Sequence, residues 1–131
     1  DVAVIPLIED NKIVMSTLKT KINESEINNN NVVKVVCDKN GFALYFSRSS
    51  IPFLRNKGEI FKHLGLYVYR KDFLLKYAKL KQTPLEIAES LEQLRVLESG
   101  FKIKVVETEF SSIGVDTPED LERVKKTLNS S

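Results

Sequence analysis

Four short segments of this 131-residue chain carry side chains suited to chemistry. The first is Tyr45-Phe46-Ser47-Arg48-Ser49-Ser50-Ile51-Pro52. Arg48 follows a strand-forming run and precedes a turn, so its guanidinium would project from a strand end. Open α/β sheets place ligands there. A planar guanidinium at such a point is a two-pronged grip for a carboxylate; a surface arginine paired with a neighbour has the same signature. The second segment, Lys62-His63-Leu64-Gly65-Leu66-Tyr67-Val68-Tyr69-Arg70, holds the one histidine of the chain. His63, Tyr67 and Tyr69 share parity and so one face of a strand. That stripe fits the lining of a sugar pocket, and equally a core face whose phenols and imidazole find backbone partners.

The third segment is Leu91-Glu92-Gln93-Leu94-Arg95. Leu91 and Leu94 join Ile87 and Ala88 on one helix face. Glu92 and Gln93 would reach over the helix side to sugar hydroxyls, or stand on a solvated face. Glu92 and Arg95, three apart, also fit a helical ion pair. The fourth is Gly114-Val115-Asp116-Thr117-Pro118-Glu119-Asp120. Thr117-Pro118 accounts for a helix start and leaves Asp116 just outside it. A carboxylate at such a turn suits a hard cation such as Mg²⁺, or serves as a second capping acid. The sequence contains no Gly-rich phosphate loop, zinc spacing or nucleophile elbow.

Strands and helices must alternate to position these segments. Strands are expected over 13–18, 32–37, 42–47, 64–69 and 102–107, from their β-branched and aromatic content. Asp38-Lys39-Asn40-Gly41 should turn the second strand into the third as a hairpin. Residues 20–31, Asn-rich, read as turn, and 54–59 as a charged loop. Helices are expected over 71–80, 84–99 and 117–128. Thr83, Pro84 and Glu86 stand at the cap, first and third positions of the second of these, and Gly100 ends it. Residues 2–8 fit the end of another helix. The interleaving predicts an α/β fold, a mixed sheet with flanking helices, in one domain over 1–131.

Hydrophobic residues make up 42% and charged residues 29%, a globular balance. A net charge of +2 gives no electrostatic reason to expect nucleic acid as a partner. No apolar run is long enough to span a bilayer, so no membrane partner is expected. Cys37, the only cysteine, cannot form an internal disulfide and fits a reducing cytoplasm. Within Val-Val-Lys-Val-Val-Cys it reads as a strand thiol, with no base nearby to activate it. The first residues lack the marks of a signal peptide and of an initiator Met, so a longer protein is expected to precede them.

In order and spacing, these segments resemble CMP-Kdo synthetases, the 3-deoxy-manno-octulosonate cytidylyltransferases. The similarity runs through Asn-Val-Val-Lys-Val-Val (31–36), Ala-Leu-Tyr-Phe-Ser-Arg-Ser (43–49) with Ile51-Pro52, and Lys-His-Leu-Gly-Leu-Tyr (62–67) with Tyr69-Arg70. It continues through Pro-Leu-Glu (84–86), Leu-Glu-Gln-Leu-Arg (91–95) and Gly-Val-Asp-Thr-Pro-Glu-Asp-Leu (114–121). The resemblance implies the C-terminal part of a nucleotide-diphospho-sugar-transferase-like fold. It implies transfer of CMP from CTP to 3-deoxy-manno-octulosonate (Kdo), an acidic sugar used for lipopolysaccharide: the anomeric hydroxyl attacks the α-phosphate and pyrophosphate leaves. It places Arg48 at the Kdo carboxylate, and His63, Tyr67, Glu92 and Gln93 around the sugar. It makes Asp116 a Mg²⁺ ligand, gives Arg95 the task of orienting Glu92, and predicts a cytoplasmic homodimer.

The family's N-terminal Arg-rich phosphate loop and its Gln-Gly-Asp-Glu-Pro segment do not occur in these residues. By itself the chain is therefore expected to be nearly inactive. Two other readings stand beside this one: a cytidylyltransferase for another acidic sugar, such as a sialic acid, and a non-catalytic dimerisation module. Tyr-Phe-Ser-Arg together with Leu-Glu-Gln-Leu-Arg favours Kdo.

Overall fold

The computed structural model describes residues 3, 5, 7 and 12–109. Five strands, β1 (Met15–Lys21), β2 (Lys34–Cys37), β3 (Ala43–Ser47), β4 (Phe61–Tyr69) and β5 (Lys104–Glu107), form one sheet in the order β3-β2-β4-β1-β5. The β1–β5 pair is parallel and the other pairs are antiparallel, so the sheet is mixed as the sequence predicts. The helices are α1 (Lys71–Tyr77), α2 (Pro84–Glu89) and α3 (Leu94–Glu98), with a 3₁₀ turn at Glu24–Glu26. The third expected helix lies outside the described residues.

The hairpin between β2 and β3 forms where turn chemistry asks for it. The Asp38 carboxylate accepts from the Asn40 N–H at 2.9 Å and the Phe42 N–H at 3.0 Å. Gly41 has φ +85, a backbone conformation that calls for glycine. Phe42 then bridges Lys104, with Ala43 N–H donating to the Ile103 carbonyl at 2.9 Å and Val105 N–H to that of Gly41 at 2.8 Å. The sheet therefore curls until the strands at its two ends meet.

One face of this sheet carries the core: Met15, Val35, Phe46 and Val105 pack with Phe73 of α1, Leu91, Leu94 and Val96 of the α2–α3 region, and Ile103. Phe46 has no exposed surface. Truncating so fully enclosed a ring costs about 3–5 kcal/mol in lost transfer energy plus the cavity left behind.

The expected single helix over 84–99 is corrected to two short ones. Its start is as predicted: Pro84 takes the first position, and Glu86 accepts from the Thr83 N–H at 3.2 Å. Ser90 then adopts a left-handed conformation (φ 57, ψ 46), and Leu91 N–H donates to the Glu86 carbonyl instead of continuing the helix. The cause is tertiary. The Glu89 carboxylate is held by Ser47 Oγ at 2.7 Å and Tyr45 Oη at 3.1 Å, which anchors the end of α2 beside β3. The turn beyond it swings Leu91 and Gln93 inward, and both are buried.

Candidate functional site

β4 positions the aromatic part of the site. Thr17 of β1 faces Tyr67 while Leu18 faces Leu64, leaving Gly65 and Leu66 as a two-residue bulge. An insertion of two keeps parity, so His63, Tyr67 and Tyr69 remain on one face as the sequence predicts. Their rings run in sequence: Phe46 to His63 at 4.9 Å, His63 to Tyr67 at 5.3 Å, Tyr67 to Tyr69 at 6.0 Å and Tyr69 to Tyr77 of α1 at 5.8 Å. Burial lowers the His63 pKa to about 4, so the imidazole is neutral at physiological pH. Burial, with Tyr69, Tyr77 and Glu92 adding to it, raises Tyr67; burial and then Glu92 raise Tyr77. All three Tyr67, Tyr69 and Tyr77 phenols thus keep their protons and can donate.

Glu92 enters from the turn between α2 and α3. Its negative charge lies near enough to add to burial in raising the Tyr67, Tyr69 and Tyr77 phenols. Glu92 is exposed, with room for a further partner. Gln93, next to it, is buried, and among the described residues its amide makes no hydrogen bond. The structure therefore gathers His63, Tyr67 and Glu92 around one aromatic face.

Arg48 stands at the end of β3, as expected, but its guanidinium is largely engaged. Nε donates to the Glu89 carbonyl at 2.8 Å, Nη2 to that of Ser90 at 3.1 Å and Nη1 to that of Asn30 at 3.1 Å. A guanidinium has five N–H donors, so two remain for a ligand. Arg95 does not serve Glu92 as its fork. It grips Glu86, Nε to Oε1 at 2.9 Å and Nη2 to Oε2 at 2.6 Å, and stacks over Tyr77 at 5.8 Å. The Arg95 hydrogen bonds hold the Glu86 carboxyl below its usual range against the opposing effect of burial.

Sequence reasoning passed over three residues that build this region. Lys34 is fully buried, its ammonium donating to the Asn29 carbonyl at 2.8 Å and the Arg48 carbonyl at 3.0 Å; desolvation lowers its pKa. A single charge inside Val-Val-Lys-Val-Val was the available signal. Glu89 links β3 to α2, with burial raising its pKa and the Ser47, Arg48 and Tyr45 contacts lowering it further than burial raises it. Thr17, buried in β1, contacts His63 and carries no signal of its own in the sequence.

Asp116 lies outside the described residues. Among those described, no group of three His, Cys, Asp or Glu side chains forms a metal site. The described residues alone do not make a magnesium site.

The chain belongs to the cytidylyltransferase family, whose profile matches residues 2–104. Within it, the chain is 55% identical over 135 residues to the 3-deoxy-manno-octulosonate cytidylyltransferase of Solibacter usitatus, covering 100% of this chain and 54% of the relative. It is 60% identical over 119 residues to that of Fusobacterium nucleatum, covering 88% of this chain and 49% of the relative. A solved structure of CMP:2-keto-3-deoxy-manno-octonic acid synthetase complexed with CTP matches with a TM-score of 0.82 at 39% identity, over 98% of this chain and 54% of that one. The chain spans about half the length of the curated relatives it matches.

Proposed function

We propose that this chain forms the sugar-binding part of a cytidylyltransferase that moves CMP from CTP to Kdo, releasing pyrophosphate, for lipopolysaccharide synthesis. The observation that carries the reading is the run of His63, Tyr67, Tyr69 and Tyr77 rings along one face, with the exposed Glu92 near enough for its charge to raise the phenols. Aromatic faces pack on the C–H surfaces of a sugar, a carboxylate accepts from its hydroxyls, and phenols donate. The two free N–H groups of Arg48 suit a carboxylate, which makes an acidic sugar the natural ligand. The relatives' names supply Kdo and CTP.

Asp116 as Mg²⁺ ligand belongs to this proposal through the family resemblance. So do the cytoplasmic setting and the homodimer. Among the described residues no helix is long and apolar enough to cross a membrane.

Calorimetric titration of Kdo into the protein tests the sugar site. Binding that weakens about tenfold, about 1.4 kcal/mol, in Glu92→Gln supports the reading. Kdo affinity unchanged by Glu92→Gln and by Tyr67→Phe would remove the proposed site. CTP-dependent pyrophosphate release on adding Kdo tests the reaction itself.

A further inference from the structure

The Thr17 hydroxyl has more neighbours than it has protons. Oγ1 lies 2.7 Å from the Leu66 carbonyl oxygen, 3.1 Å from that of Leu64 and 2.8 Å from His63 Nε2. Both carbonyls reach one side chain at the Gly65-Leu66 bulge, where the β1–β4 register shifts between Thr17 and Leu18.

Carbonyl oxygens only accept, so the single hydroxyl proton goes to them, chiefly to the nearer Leu66. The lone pairs of Oγ1 are what remain for the imidazole. With the hydroxyl proton so placed, it is His63 Nε2 that carries the hydrogen and donates to Thr17. A neutral imidazole has one N–H, so Nδ1 is bare. Nδ1 has no partner among the described residues and is not sealed from solvent.

We propose that Thr17 is a positioning residue for the sugar site: it locks His63 in the Nε2–H form and so presents Nδ1 as a hydrogen-bond acceptor for a ligand hydroxyl. The ligand-facing half of this statement rests on the sugar-site reading; the tautomer does not. The lowered pKa of His63 agrees with a ring that stays neutral while it accepts. The Phe46 and Tyr67 rings that flank the imidazole hold its plane, and the hydroxyl fixes which edge faces outward. A polyol matches this arrangement because it donates to Nδ1 and Glu92 while its oxygens accept from the phenols.

Because His63 is the only histidine, the experiment needs no assignment. Protein labelled with nitrogen-isotope histidine gives one imidazole, whose long-range proton–nitrogen correlations at neutral pH separate the two tautomers. The expected result is a single Nε2–H form in the unliganded protein. It is retained in Thr17→Ser and replaced by a tautomer mixture, or by Nδ1–H, in Thr17→Val. An Nδ1–H ring in the unsubstituted protein overturns the assignment even if Thr17→Val fails to fold. A pure Nε2–H ring in folded Thr17→Val overturns the role of Thr17. Adding Kdo should shift the bare Nδ1 signal. If the tautomer is Nε2–H and Kdo leaves that signal unmoved, the presentation to sugar fails while the Thr17–His63 lock stands.

Discussion

Arg48 closes the end of α2 from outside it: its Nε donates to the Glu89 carbonyl at 2.8 Å while its own backbone N–H donates to the Glu89 carboxylate at 3.2 Å. The two residues hold each other at both main chain and side chain across 41 positions of sequence. The guanidinium satisfies carbonyls that a helix end leaves without partners. Arg48→Gln should therefore lower stability by about 2 kcal/mol, read as a lower urea midpoint, because several charge-assisted hydrogen bonds are lost from a partly exposed site. An unchanged midpoint would mean that the guanidinium is free for ligand alone.

Ser90 follows Glu89 with φ 57, a conformation that costs a residue with a Cβ about 1–2 kcal/mol. Glycine removes that cost but adds freedom to the unfolded chain. Ser90→Gly is expected to stabilise by about 0.5 kcal/mol, and Ser90→Val to destabilise by more than 1 kcal/mol, roughly the strain of a branched side chain there. Thermal midpoints of the two variants should move in opposite directions.

Glu86 and Arg95 are a nearly enclosed pair, with 6% and 18% of their side chains exposed. Taking away one partner leaves a desolvated charge. Glu86→Ala should cost about 3 kcal/mol, and the double variant Glu86→Ala with Arg95→Met should recover part of it. Full additivity of the two losses in a denaturation cycle would argue against a coupled pair.

His63 gives the fold a weakness toward acid. The unfolded chain binds a proton at this ring near the ordinary histidine value of 6.5, while the folded chain resists until about 4. Between those values the unfolded state carries more protons, so stability falls as pH drops through the window. The full loss is on the order of 3 kcal/mol, from about 1.4 kcal/mol per pH unit. Thermal midpoints of the protein should decline between pH 6.5 and 4, and those of His63→Gln should decline less over the same range.

What the sequence reveals follows how local each cause is. The Asp38 to Gly41 turn and the Thr83-Pro84-Glu86 helix start are set by residues a few positions apart, and both are where the sequence places them. The aromatic stripe of β4 is legible as well, because a bulge of two residues preserves its parity. The break at Ser90 is not: no glycine marks it, and its causes sit on β3. Arg95 shows the same limit. Glu92 is three residues away, but burial brings Glu86, nine away, into the fork. Thr17 gains its importance only when β4 arrives beside it.

The meeting of Phe42 with Lys104 has a consequence for behaviour at high concentration. β5 is hydrogen-bonded to β1 on one side and to residues 41–43 on the other. A strand so flanked offers no row of idle amides for a neighbouring molecule to extend, and exposed rows of that kind are the usual template for fibrillar stacking. One end of the sheet is thereby blunted by the protein's own hairpin.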